Sequence, residues 1–237
     1  MAERTDHDNQ ALLAFWDQAF AIPEGAKEAA RQEDPGSWEE LAPSEKLLRA
    51  VCALDNRKKV LDFGCGNGWA AIAAAKSGCP EVTAADPAPN AVDAAAFFAE
   101  LFGVRERIRP ICGGSDWLKT VPAETFDGLI CSNVLDVIPP ETAEELLREL
   151  ARVLTPDAGI VIGLNYYLSP ESAAEKGLAL TDGCLLYQGG VLRLVSRTDE
   201  EWTERFAPCF TVESLAYFAW PGEAEERRRV FRLRRRR

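Results

Sequence analysis

A chain of 237 residues, 47% of them hydrophobic, is long enough for one large α/β domain, with or without an added cap. The net charge of −11 is unevenly placed: residues 227–237 hold eight arginines, and everything before them sets 19 basic against 38 acidic residues. An acidic body repels phosphate backbones, which counts against nucleic acid as a substrate; the arginine run reads as a solvated terminus, a segment lying against the acidic body, or a nucleic-acid grip. No run of eighteen apolar residues occurs, so no membrane span is expected, and the polar residues 1–10 lack the order of a signal peptide. The seven scattered cysteines form no CxxC pair, which leads us to expect a reduced, cytoplasmic protein with no metal site.

In chain order, Leu12, Leu13, Trp16 and Phe20 recur at helical spacing and predict a helix over 8–20. Ser44 is expected to cap a helix carrying Leu47, Leu48, Val51 and Leu54. From residue 58 strands and helices alternate: strand 58–63, helix 67–77, strand 81–86, helix 89–102, strand 107–112, a short helix near 117, strand 126–131, helix 141–154 and strand 159–164. Leu146, Leu147, Leu150 and Leu154 form one apolar stripe on the last of these helices. Such alternation implies parallel βαβ units, a sheet covered on both faces, and ligands bound beyond the carboxyl ends of the strands at a switch point. The regularity breaks at 165. Residues 165–197 hold Tyr166-Tyr167, a predicted helix at 170–177, and two apolar runs around Gly189-Gly190 that predict a hairpin. A helix over 198–207 with Trp202 and Phe206 on one face follows, then strands 210–220 and 228–234.

The stretch Val60-Leu61-Asp62-Phe63-Gly64-Cys65-Gly66-Asn67-Gly68 joins an apolar strand to an alanine-rich helix through a glycine turn. Such turns let a ligand approach the backbone at a helix N-terminus. The spacing departs from the dinucleotide fingerprint, whose third glycine would fall at Trp69. With the strand-end Asp62, the stretch resembles the first motif of the class I S-adenosylmethionine-dependent methyltransferases. The resemblance implies a Rossmann-like, seven-stranded, mostly parallel sheet with helices on both faces and the last strand antiparallel, lying between the fifth and sixth. The N-terminal helix is then either a packing helix on the domain edge or, as in many small-molecule methyltransferases, a lid over the acceptor pocket; the break at 165 itself reads as about thirty residues inserted after the fifth strand. Residues 1–44 would be the cap and 45–237 the methyltransferase domain, with the insertion at 165–197.

Asp86 ends the second strand 22 residues after Gly64, where a carboxylate can accept hydrogen bonds from a ribose diol; it can equally serve as a turn aspartate before Pro87. The resemblance places the methionine portion of S-adenosyl-L-methionine against Asp62, Phe63, Gly64, Cys65, Gly66 and Gly68, and the ribose against Asp86 and Pro87. The adenine falls to Ser115, Asp116 and Trp117, although Ser115 or Asp116 could simply cap a helix. Ser132, Asn133 and Val134 would form the floor of the transfer site. No Asn/Asp-Pro-Pro-Tyr/Phe tetrad and no Pro-Cys pair occurs there, which argues against amino methylation of adenine or a glutamine amide and against a covalent cytosine mechanism. Where many relatives carry a histidine, this chain has Asp136, the candidate general base or equally a solvated aspartate near a helix start; Tyr166, Tyr167 or water are alternative bases. The only histidine, His7, lies in a polar segment. The expected activity is methyl transfer to a small-molecule acceptor by in-line displacement. Other readings are a protein or RNA methyltransferase gripping through the arginine run, a non-catalytic S-adenosylmethionine-binding protein, and a nicotinamide dehydrogenase.

Overall fold

The computed structural model describes residues 2–236, with side chains from residue 5 onward; expectations that touch Met1 and Arg237 lie outside the described residues. In chain order the helices and strands are α1 (Ala2–Ala19), α2 (Glu24–Gln32), α3 (Glu45–Cys52), β1 (Lys59–Phe63), α4 (Trp69–Lys76), β2 (Glu81–Asp86), α5 (Pro89–Leu101), β3 (Ile108–Cys112), α6 (Ser115–Thr120), β4 (Phe126–Ser132), α7 (Pro140–Val153) and β5 (Leu154–Leu164). The insertion adds α8 (Pro170–Glu175), β6 (Leu180–Thr181), β7 (Leu185–Gln188) and β8 (Val191–Val195). The chain then continues through α9 (Asp199–Phe206), β9 (Phe210–Phe218) and β10 (Arg228–Arg235). The main sheet runs β3-β2-β1-β4-β5-β10-β9, and β10 is antiparallel to both its neighbours.

Period-two alternation decides which side chains meet which helices. Val60, Val82, Ile130, Val161 and Val230 point to one face, packed with α3, α4 and α5. Their neighbours Leu61, Ala85, Leu129, Ile162 and Phe231 point to the other, under α7 and α9. In α4 the run Ala70 to Ala75 is wholly buried and, apart from Ile72, all alanine. Small side chains let that helix lie close to the sheet and to α5, where a Cβ on Gly68 would stand 2.8 Å from the Ala95 Cβ. On the opposite face Trp202, Phe206 and Phe231 pack ring against ring at 5.8 and 5.3 Å; each contributes about 1.5–3 kcal/mol by burial.

Several elements differ from the sequence expectation. Helix α2 was not expected, because its sequence has no apolar stripe. Instead its buried Lys27 pairs with Asp93 of α5, and Lys27 and Arg31 lie 6.0 and 5.3 Å from the Phe97 ring. Strand β5 begins at Leu154 rather than 159, since Leu154 pairs with Phe126 before a register shift; the irregularity accommodates Pro156. Ser44 precedes α3, but its side chain makes no capping bond. Thr198 does cap: it forms a capping box with Glu201 at the start of α9. Within the arginine run, Arg228–Arg235 form strand β10, with Arg228 and Arg229 buried and Val230, Phe231 and Leu233 in the core, while Arg232 and Arg234 face solvent. The Gly189-Gly190 hairpin forms as expected, both glycines at positive φ, and β6 extends it to three strands. No described helix is long and apolar enough to cross a membrane.

Candidate active site

The carboxyl ends of β1, β2, β3 and β4 converge on the glycine turn. Gly64, Gly66 and Gly68 all have positive φ, of 72°, 52° and 79°. At Gly64 a Cβ would lie 2.2 Å from Val134 Cγ2, so glycine is required by backbone and space together. The turn is tied down by neighbouring strands. The amides of Gly64 and Cys65 donate to the Ala85 carbonyl at 2.8 and 3.1 Å, and the Gly113 amide donates to the Asp86 carbonyl at 2.9 Å.

The two strand-end acids have different partners. Asp62 accepts from the Ala71 amide of α4 at 3.0 Å and is 2% exposed. Burial raises its pKa to about 7, helped by the charge of Asp86 and opposed by the Ala71 hydrogen bond. Phe63 and Cys65 are buried in the core beside it. The Asp86 carboxylate accepts from the Gly66 amide at 3.0 Å and the Ala88 amide at 2.9 Å. Burial raises its pKa against those two hydrogen bonds, and Asp17 adds to the rise. Asp86 is thus a turn aspartate, and it also clamps the glycine turn.

Beyond β3, α6 starts after Gly114, which packs toward Pro87, so neither Ser115 nor Asp116 is its N-cap. Trp117 is half-buried with its Cβ against Gly113, next to the core. Asp116 is exposed, 3.9 Å from Lys119, whereas Asp86 is buried. At the end of β4, Asn133 has a φ of 57°; its amide donates to the Gly163 carbonyl at 2.8 Å and its side chain to Asn165 Oδ1 at 3.0 Å. Ser132 donates to Asn133 Oδ1 at 3.2 Å, and Val134 covers Gly64.

Asp136 is fully buried, so the structure does not place it on an open acceptor-facing wall. Its Oδ2 accepts from the Asn165 amide, and its carbonyl accepts from Val195 at 2.7 Å. Burial raises its pKa; the Asn165 amide and the Arg229 charge oppose the rise. Arg229 completes the arrangement, donating to the carbonyls of Asn165 and Arg197 at 2.9 and 2.7 Å and pairing with Asp199 at 3.1 Å. Asp136 and Arg229 therefore hold both stems of the insertion. Ser196 adds a stem-to-stem link through the Leu168 amide and carbonyl at 2.8 and 2.7 Å.

In the sequence Phe20 stands only as part of a helical stripe. In the structure it sits on the turn, its Cζ 2.7 Å from where a Gly66 Cβ would be. The adjacent Asp17 accepts from the Asn90 amide at 2.8 Å, at the N-terminus of α5, and from the Asn90 side chain at 3.1 Å. An acid there also favours the helix dipole. Arg193 of β8 lies 4.0 Å from the Phe15 ring centroid and 5.3 Å from that of Trp16, joining α1 to the insertion. These pairs are far apart in sequence, and no local pattern announces them.

A model of the methyltransferase domain matches residues 60–157. The match spans less than half of the chain. Over 129 residues it is 33% identical to the ribosomal protein L11 methyltransferase of Yersinia pseudotuberculosis, a match covering 53% of this chain and 40% of that protein; the chain spans less than half the length of that curated relative. Two solved structures extend the likeness to nearly the whole chain. The 1,6-didemethyltoxoflavin-N1-methyltransferase of Burkholderia thailandensis, with 1,6-didemethyltoxoflavin and S-adenosylhomocysteine bound, is 21% identical, with 92% of each chain covered and a TM-score of 0.61. The N-methyltransferase NodS of Bradyrhizobium japonicum, in complex with S-adenosylhomocysteine, is 17% identical, with 90% of this chain and 98% of that one covered and a TM-score of 0.61. The fold is that of the class I methyltransferases. The matched residues contain the glycine turn, Asp86, α6 and the end of β4. Helix α1, the insertion and β10 lie outside it.

Proposed function

We propose that the protein is a cytoplasmic S-adenosylmethionine-dependent methyltransferase acting on a small-molecule acceptor. The observation that carries the reading is the Asp86 clamp on Gly66 at the end of β2, within the matched domain. The donor set fits the cofactor. Each Asp86 oxygen gives one acceptor direction to a backbone amide and keeps another for a ribose hydroxyl. Pro87 and Trp117 offer apolar surface for an adenine ring, with Ser115 and Asp116 beside them. The glycine turn, Asn133 and Val134 would hold the methionine portion. Phe20 lies over Gly66, so cofactor entry is coupled to a shift of the α1 end, and residues 1–44 act as a cap over the 45–237 domain.

S-adenosylmethionine supplies an already activated methyl group, and the protein's part is to place the acceptor in line with it. Asn133 and Asn165 join the end of β4 to the start of the insertion and so fix the acceptor wall beside the cofactor. Asp136 enters as a positioning residue: it holds the Asn165 backbone, and Asn165 in turn holds Asn133. The acidic body and the aromatic side chains of α1 and the insertion support a small acceptor. The arginine-grip reading loses support because Arg228, Arg229, Arg234 and Arg235 already pair with Glu223, Asp199, Glu213 and Glu124.

Calorimetry with S-adenosylmethionine and S-adenosylhomocysteine tests the proposal. Both should bind, and Asp86→Ala should weaken them by about 1–3 kcal/mol. Unchanged affinity in the folded variant would remove Asp86 from the site. Binding of NADH in place of S-adenosylmethionine would sink the reading altogether.

A further inference from the structure

A cavity of about 410 Å³, apart from the glycine turn, is lined by Tyr166, Lys176, Glu223, Ala224, Glu225 and Arg227. Its chemistry is unusual for so acidic a molecule. Three cations gather around one ring: Arg227, Arg228 and Lys176 lie 5.0, 5.7 and 5.9 Å from the Tyr166 centroid. The π-face of Tyr166 favours that placement, but the charges still repel one another.

The acids nearby do not neutralise them equally. Glu223 is committed to Arg228, which it meets at 2.6–3.0 Å through two nitrogens, and to the Trp220 amide at 2.9 Å. Glu225 meets Arg227 at 3.3 Å, but both side chains are more than half exposed, a pairing of little worth that a ligand can replace. Lys176 makes no ion pair among the described residues. Two cations, Lys176 and Arg227, are therefore available on an aromatic wall, while the strongest local acid is already bound.

The cavity is also connected to the end of β4. Arg228 donates to Asn165 Oδ1, the atom that receives the Asn133 side chain, so two hydrogen bonds separate the cation cluster from the residue beside the glycine turn. Tyr166 follows Asn165 directly in the chain.

We propose that this cavity takes an anionic group of the methyl acceptor, a carboxylate or a phosphate, held between Lys176 and Arg227 over Tyr166. This rests on the methyltransferase reading given above. The guanidinium fork of Arg227 suits either anion, and Lys176 adds a point charge. A cationic acceptor would meet uncompensated positive charge, and a neutral one would leave Lys176 and Arg227 unused.

The test is calorimetry on the full chain saturated with S-adenosylhomocysteine, titrated with benzoate, phenyl phosphate and the neutral benzamide. At least one anion should bind, with benzamide weaker by about tenfold or more, the usual size of a hydrogen bond to a charged group. Replacing both cations, Lys176→Gln with Arg227→Gln, should remove that preference while S-adenosylhomocysteine affinity and the unfolding midpoint stay as in the wild type. Tighter binding of phenyl phosphate assigns a phosphate, and tighter binding of benzoate a carboxylate. Equal affinity for benzamide, anion binding untouched by the double substitution, or no anion binding to the S-adenosylhomocysteine complex would each overturn the proposal alone. Failure of S-adenosylhomocysteine itself to bind would instead overturn the methyltransferase reading, and the acceptor assignment with it.

Discussion

Replacing Asp62 by asparagine should stabilise the protein at neutral pH and leave it unchanged in acid. The wild-type carboxyl is buried at the end of β1, and burial lifts its pKa from 3.8 to about 7. A rise of roughly three units corresponds to about 4 kcal/mol between the two protonation states. The sign follows from proton counting. Below pH 4 the folded and unfolded chains both hold the proton, and the group contributes nothing. Between about pH 4 and 7 the folded state keeps a proton that the unfolded state has lost, so stability falls as pH rises. Above pH 7 both states are ionised, and the folded state carries the full cost. Asparagine has nearly the same shape, keeps an acceptor for the Ala71 amide, and never ionises. Denaturant unfolding at pH 4, 5, 6, 7 and 8 gives the difference between variant and wild type. It should grow from about 0.5 kcal/mol at pH 4 to about 4 kcal/mol at pH 8. A flat difference, or a variant less stable at pH 8, would refute the reasoning. Because the charge of Asp86 adds to the shift, the difference should shrink in an Asp86→Asn background.

Gly64→Ala should lower stability by about 1–2 kcal/mol from the left-handed backbone alone, with a further loss from the Val134 contact. Adding Val134→Ala should recover only that second part in thermal unfolding; full recovery would mean that backbone strain is absent. Asp136→Ala leaves the Asn165 amide without its acceptor, at a cost of about 1–3 kcal/mol, and should expose residues 165–197 to proteolysis. Asp136→Asn retains an acceptor and should rescue turnover with the wild-type pH profile. If asparagine is as inactive as alanine, Asp136 is a base after all.

How far the sequence led depended on how local each signal was. The glycine turn and Asp86 were legible because residue type and spacing carry their chemistry directly. Alternating apolar residues gave the main strands, and β10 could be read through its arginines because Phe231 and Leu233 keep the period on one face. Charge composition alone misled there, since a run of like charges usually lies in solvent, whereas Arg229 is buried by partners at 165, 197 and 199. Helix α2 escaped notice because it is held by an ion pair and cation–ring contacts rather than an apolar stripe. The burial of Asp136 was invisible for a related reason. It lies in a connection between β4 and α7, and what encloses it comes from positions 165, 195 and 229. Asn165 was equally hidden, since it meets Arg228 across the tertiary structure rather than along a motif.

The way Asp136 and Arg229 grip residues 165, 195 and 197 makes the intervening segment an exchangeable cassette. Three of the four bonds they make to those stems run to or from backbone atoms of the cassette alone, and the fourth joins two backbones. None depends on which side chains the segment carries. Residues 166–194 can therefore diverge in sequence, or be transplanted from another protein, without re-engineering the sheet beneath. The socket is written in the sheet and its neighbouring loop, and side-chain changes can accumulate in the part that plugs into it.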